Sequence, residues 1–140
     1  MSRVFWDTNI FIYLFEDQGS RGKEALRFRE RMMKRGDLLL TSAMSVGEIL
    51  VKPREKNDWA LAQQYEEAIA ATSLVLPFDL KAARTYADLR QIRGLRAPDA
   101  IQLSCAAVAS TDVFVTNDDR LHGIQVPGIH FIVPMERVPL

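Results

Sequence analysis

Cysteine is almost absent from this chain. Cys105 is the only one in 140 residues, so neither an intrachain disulfide nor a cysteine-rich zinc site holds the fold together. Histidine is as scarce: His122 and His130 are the only two, and they stand alone, without the His-rich or Cys-His spacing that zinc requires. No Gly-rich loop ends in Gly-Lys-Ser/Thr, which excludes a P-loop nucleotide site. Long apolar runs are also missing. The stretch from Ile101 to Val108 is broken by Gln102 and Ser104, and nothing longer is available to span a bilayer. At the N-terminus Asp7 interrupts the place where a secretory signal needs an unbroken apolar region, so a cytoplasmic protein is expected. Excess charge of one sign is missing too. Lys and Arg number 18, Asp and Glu number 18, and the net charge is zero. That removes the simplest argument for a nucleic-acid partner, which must then rest on local charge.

What is present describes one compact domain over residues 1–140, with 48% hydrophobic and 26% charged residues. Periodicity predicts strands alternating with helices. Arg3 to Asp7 reads as a buried strand, and Asn9 to Glu16 as a short apolar helix. Ser20 is placed to cap a charged helix running to about Lys34. Leu38–Thr41 is a second strand, followed by a helix from Ser42 to Val51 that Lys52-Pro53 should stop. A helix from about Asp58 to Ala71, a strand at Ser73–Leu76, and a helix capped by Asp79 and running to about Arg93 come next. Pro98 opens a helix that continues through Ala109, Asp112–Thr116 forms a fourth strand, and Ile129–Val133 a fifth. Such alternation implies an α/β fold with a parallel sheet of about five strands and helices on both faces.

In an open parallel sheet the ligand site lies beyond the carboxyl ends of the strands, where the strand order reverses. Asp7 ends the first strand and Asp118 follows the fourth, so the two carboxylates converge if those strands are neighbours. Each acid also has an ordinary explanation. Asp7 suits a helix N-cap, Asp99 suits the first turn of a helix, and Asp118 and Asp119 suit a turn. Glu48 differs, because Ala43, Met44, Val46, Ile49, Leu50 and Val51 surround it with apolar residues, and partial burial is expected. Carboxylates gathered in one cleft repel unless a cation or protons neutralise them, and all-oxygen ligation suits Mg²⁺ or Mn²⁺.

Asp7-Thr8-Asn9 after the first strand, Glu48 in a helix, Ala97-Pro-Asp-Ala-Ile101 opening a helix, and Thr116-Asn-Asp-Asp-Arg-Leu121 after the fourth strand together resemble the PIN-domain family. More narrowly, the chain is similar to VapC-type toxins of toxin-antitoxin pairs. The resemblance implies that Asp7, Glu48, Asp99 and Asp118 hold Mg²⁺ or Mn²⁺, with Asn9 and Thr116 supporting them by hydrogen bonds. Asp119 is a second acid beside Asp118 with which roles can be exchanged, and Gln102 stands where relatives often carry a histidine. Also implied are metal-dependent hydrolysis of RNA phosphodiester bonds leaving 5′-phosphate and 3′-hydroxyl ends, a cognate antitoxin, and a homodimer. A non-catalytic RNA-binding or scaffolding domain with the same acids is the alternative. A phosphatase using Asp7 as nucleophile ranks last, because no second acid follows two residues on.

Local basic charge fits an RNA partner in one place. Arg96 lies three residues before Asp99, within reach of a substrate phosphate at the mouth of the site. Arg21 to Arg35 carries seven cations against Glu24 and Glu30, which reads as a solvated helix face. Phe11, Ile12, Leu14 and Phe15 read as core or dimer contact, and Cys105 as a small buried apolar residue.

Overall fold

The computed structural model describes residues 1–138; the last two residues of the expected 1–140 domain lie outside the described residues. Five strands, β1 (Arg3–Trp6), β2 (Leu38–Ser42), β3 (Leu74–Leu76), β4 (Thr111–Val115) and β5 (Ile129–Val133), form one sheet in the order β3-β2-β1-β4-β5. Every pairing is parallel. Parallel neighbours need crossovers. Helices α1 (Thr8–Glu16) and α2 (Ser20–Arg35) join β1 to β2, and α3 (Ala43–Glu55) and α4 (Trp59–Thr72) join β2 to β3. The pair α5 (Leu80–Leu89) and α6 (Ala97–Val108) returns the chain to β4 on the far side of β1. The reversal of strand order therefore falls between β1 and β4. Only a short 3₁₀ turn, Asp119–Leu121, interrupts the connection from β4 to β5.

Alternation along the strands divides the core in two. Val4 and Trp6 of β1, with Leu39, Val113 and Val115, face α1 to α4 and pack on Ile10, Phe11, Phe28 and Met32. Phe5, Leu40 and Phe114 point the other way, onto α5, α6 and the β4–β5 connection. Phe5 and Phe114, opposite one another in the register, stack with centroids 4.8 Å apart. Ile12, Leu14 and Phe15 pack against the first cluster, so the apolar segment after Asp7 belongs to the core. The charged helix α2 buries Gly22, Ala25, Phe28 and Met32.

Several boundaries differ from expectation. Pro53 does not stop α3; its buried ring sits in the last turn, and the helix runs on to Glu55 before Asn57 adopts a left-handed φ of 55°. Proline's missing N–H costs one bond there, but Pro53 still accepts a hydrogen bond from Asp58 N at 2.8 Å. The helix capped by Asp79 ends at Leu89 rather than Arg93, and separate turns carry the chain to Gly94 at φ 82°. Gly19, not Ser20, caps α2.

Gly22 marks a close approach. A Cβ there would lie 1.7 Å from the Asp17 carbonyl oxygen, so α2 can start against the end of α1 only if that position lacks a side chain. Gly47, in the middle of α3, has nothing within 4 Å of a built Cβ. Opposite signs are expected on urea unfolding: Gly22→Ala destabilises by roughly 2 kcal/mol or more, whereas Gly47→Ala stabilises by about 0.5–1 kcal/mol through helix propensity.

Candidate active site

Asp7 leaves β1 as N-cap of α1, and both of its carboxylate oxygens are engaged. Oδ1 accepts from Thr8 N at 2.8 Å, the capping bond, and Oδ2 accepts from the Thr116 hydroxyl at 2.7 Å. The cap and the site are thus the same residue. Thr116 follows β4 directly, and its hydroxyl also accepts from Asp118 N at 3.1 Å. One buried hydroxyl ties the acid after β1 to the acid after β4, as neighbouring strands at the reversal allow.

Burial pushes the Asp7 carboxyl up to about 6, against the opposing hydrogen bonds from Thr116 and Thr8, and the negative charges of Asp99 and Glu48 raise it further. Asp99 lies in the first turn of α6, largely covered. Glu48 corrects the expectation of partial burial: it is exposed, because α3 buries only the face of Ser45, Ile49 and Pro53. Its carboxylate nonetheless has a partner, accepting from the Thr8 hydroxyl at 2.7 Å.

Asp118 is held differently. It accepts from Arg120 Nε at 2.9 Å and makes a second contact with Arg120 Nη2. These bonds keep its carboxyl below the ordinary range. Arg96 spans two acids, with Nε 3.5 Å from Asp99 and Nη2 4.0 Å from Asp118. Asp119 does not join the site; its side chain is 99% exposed and lies 3.8 Å from His122. Nor does Asn9 hydrogen-bond an acid: its Oδ1 is buried without a partner among the described residues.

Gln102 is the residue whose role composition did not reveal. Only 2% exposed, it accepts a hydrogen bond from the Ser42 hydroxyl at Oε1. Its Nε2 faces Ser45 Oγ at 2.7 Å, Thr8 Oγ1 at 3.1 Å, Asp7 Oδ1 at 3.3 Å and Glu48 Oε1 at 3.5 Å. Ser42 caps α3 by accepting from Ser45 N, leaving its proton for Gln102 and thereby setting which end of the amide faces the acids. Polar residues at apolar helix positions were the available signal, since buried polar groups require partners.

Among the described residues, no three His, Cys, Asp or Glu side chains are grouped closely enough to hold an ion by themselves. The donors still suit a hard dication. Asp7 offers carboxylate oxygens that no Lys or Arg pairs with among the described residues, Asp99 and Glu48 add to its field, and Mg²⁺ commonly uses few carboxylates with water and phosphate. Cys105 takes no part: it is buried, its Sγ 3.6 Å from the Pro77 carbonyl oxygen, and burial raises the thiol to about 11.

Two outcomes are expected. Because folding raises the Asp7 pKa, the folded state holds that proton more tightly, and stability falls as pH rises from about 4 through about 6. Asp7→Asn should therefore stabilise the metal-free protein at pH 7, on the order of 2–3 kcal/mol, with the gain vanishing near pH 4 in thermal melts. Gln102→Leu, which strands Ser42 and Ser45, should cost about 1–3 kcal/mol in urea unfolding.

A comparison with curated proteins found no match. Among solved structures the chain is similar to a toxin-antitoxin complex from Klebsiella pneumoniae, at 25% identity and TM-score 0.64, covering 90% of this chain and 94% of that one. It is also similar to VapBC2 from Rickettsia felis bound to a promoter DNA fragment, at 18% identity and TM-score 0.73, covering 93% and 96%. A third likeness is to the toxin VapC20 from Mycobacterium tuberculosis, at 12% identity and TM-score 0.65, covering 87% and 96%. The latter two speak to the fold alone. The family model for the PIN domain matches residues 4–126, from the first strand to beyond the last acid of the site, and the chain therefore belongs to the PIN-domain family.

Proposed function

We propose that this chain is a VapC-type toxin, a Mg²⁺- or Mn²⁺-dependent endoribonuclease that works in the cytoplasm as a homodimer and is held inactive by a cognate antitoxin. The observation that carries the reading is Asp7: a half-buried carboxylate at the strand reversal, raised by desolvation and by the charges of Asp99 and Glu48, with no Lys or Arg paired to it among the described residues. Similarity to a toxin-antitoxin complex supports the pairing with an antitoxin. The Mycobacterium tuberculosis neighbour is described as cleaving the sarcin-ricin loop, which supports RNA as the substrate class.

In this reading Asp7, Asp99, Glu48 and Asp118 would hold the ion, and their carboxylates would not attack the substrate. The chemistry such an ion would supply is Lewis acidity, toward a water nucleophile and toward the charge of the leaving oxygen. Thr116 and Gln102 fix the rotamer of Asp7 through its two oxygens. Arg96, exposed between Asp99 and Asp118, is placed to meet a substrate phosphate. A second reading, RNA binding without cleavage, draws on Asp118, whose charge is already taken by Arg120.

Purified protein with Mn²⁺ is expected to cut RNA, leaving 5′-phosphate and 3′-hydroxyl ends, and EDTA should stop it. Asp7→Asn and Asp99→Asn should each lower cleavage about 100-fold or more while leaving the fold intact by circular dichroism. Undiminished cleavage in EDTA, or in both variants, would sink the metal-dependent reading; RNA binding without any cutting would favour the second.

A further inference from the structure

Beside the acids a cavity of about 370 Å³ opens between the α5–α6 connection and the turn after β4. Its volume lies within the range of pockets that take small organic groups, roughly 300–1,000 Å³. Leu95 and Leu121 belong to the buried core and form a fixed floor, and Ile92 and Ile124, half-buried, form the sides. Gly94 adds no bulk at the rim. The polar lining is Asp99, shared with the acid site, Arg120, whose guanidinium is paired with Asp118, and Arg93, which supplies exposed positive charge.

The occupant must therefore have an apolar, compact body joined to anions, and it must lie within reach of the acid cluster. An unpaired nucleobase of a nucleic-acid strand has that form: its faces suit aliphatic walls and a guanidinium plane, and phosphates lie on either side of it. We infer that this cavity is a base-binding subsite, taking one unpaired nucleobase of the RNA next to the phosphate that is cut, with Arg93 on the adjoining backbone. The inference rests on the ribonuclease reading of the acids but concerns a different set of contacts. It assigns substrate selection to the α5–α6 connection and the segment after β4.

Binding tests the subsite separately from cleavage. A short single-stranded RNA of mixed sequence is compared with versions carrying one abasic residue at each position in turn, with affinities read by fluorescence anisotropy in EDTA. For the wild-type protein, one abasic position should weaken binding about tenfold, equivalent to about 1.4 kcal/mol. Ile124→Trp, which fills the cavity, should bind the intact RNA about as weakly as the wild type binds that abasic RNA, and should be indifferent to the base there. Arg93→Ala gives a second readout that does not depend on filling the core: the slope of log affinity against log salt should fall by about one. An abasic penalty that persists in Ile124→Trp, or no position-specific penalty in the wild type, would overturn the subsite. Absence of cleavage with Mn²⁺, alongside an intact binding pattern, would instead overturn the ribonuclease reading alone.

Discussion

A carboxylate partly withdrawn from water needs donors, and the half-burial of Asp7 sets the terms for the carboxyl edge of the sheet. Its position is fixed by the backbone, because the residue that ends β1 is also the one that must start α1. The Thr8 amide, the Thr116 hydroxyl and the Gln102 amide come from three different elements to meet its two oxygens. Those donors compensate only in part, and the neighbouring acids Asp99 and Glu48 work against them. The result is a site whose folded form favours added positive charge, which is a physical reason to look for a cation there.

The four acids are not equivalent. Asp7, Asp99 and Glu48 form one electrostatic group. Asp118 is joined to Asp7 through Thr116 but has its charge met by Arg120. Asp118 and Arg120 are two residues apart on one short turn, outside every strand. Arg96 reaches both Asp99 and Asp118 and so sits between the two sets. The even balance of 18 cations and 18 acids conceals this arrangement, since acids concentrated in one cleft leave α2 with its exposed excess of Lys and Arg.

Fold class was legible because it follows from short-range pattern, whereas strand order rests on which crossovers pack together. Apolar runs of four or five residues, broken by Asp7 or by Asn117, can hardly be anything but strands between helices, and β5 was placed at Ile129–Val133 without error. β1 and β4, whose adjacency the convergence of Asp7 and Asp118 requires, are paired. Side-chain environments were less legible, since they depend on which helix face meets the sheet. Glu48 sits among apolar residues in sequence yet is exposed, because α3 buries the face of Ser45, Ile49 and Pro53, flanked by Val46 and Leu50, and Glu48 lies off it. Asp118 and Asp119 look interchangeable in sequence, but the 3₁₀ turn directs only the first inward. Gln102 was noticed as a break in an apolar run and as a departure from relatives; that its amide gathers Ser42, Ser45, Thr8 and two acids depends on α6 crossing beside α3, which no local pattern encodes.

The sheet separates two apolar clusters, one under α1 to α4 and the other under α5 and α6. Asp7 and Glu48 ride on helices of the first cluster, and Asp99 and Gln102 on a helix of the second. The cleft is thus an alignment gauge between two halves of the molecule. Both halves rest on opposite faces of the same central strands, so the spacing between the two sets of side chains is set by the sheet they share.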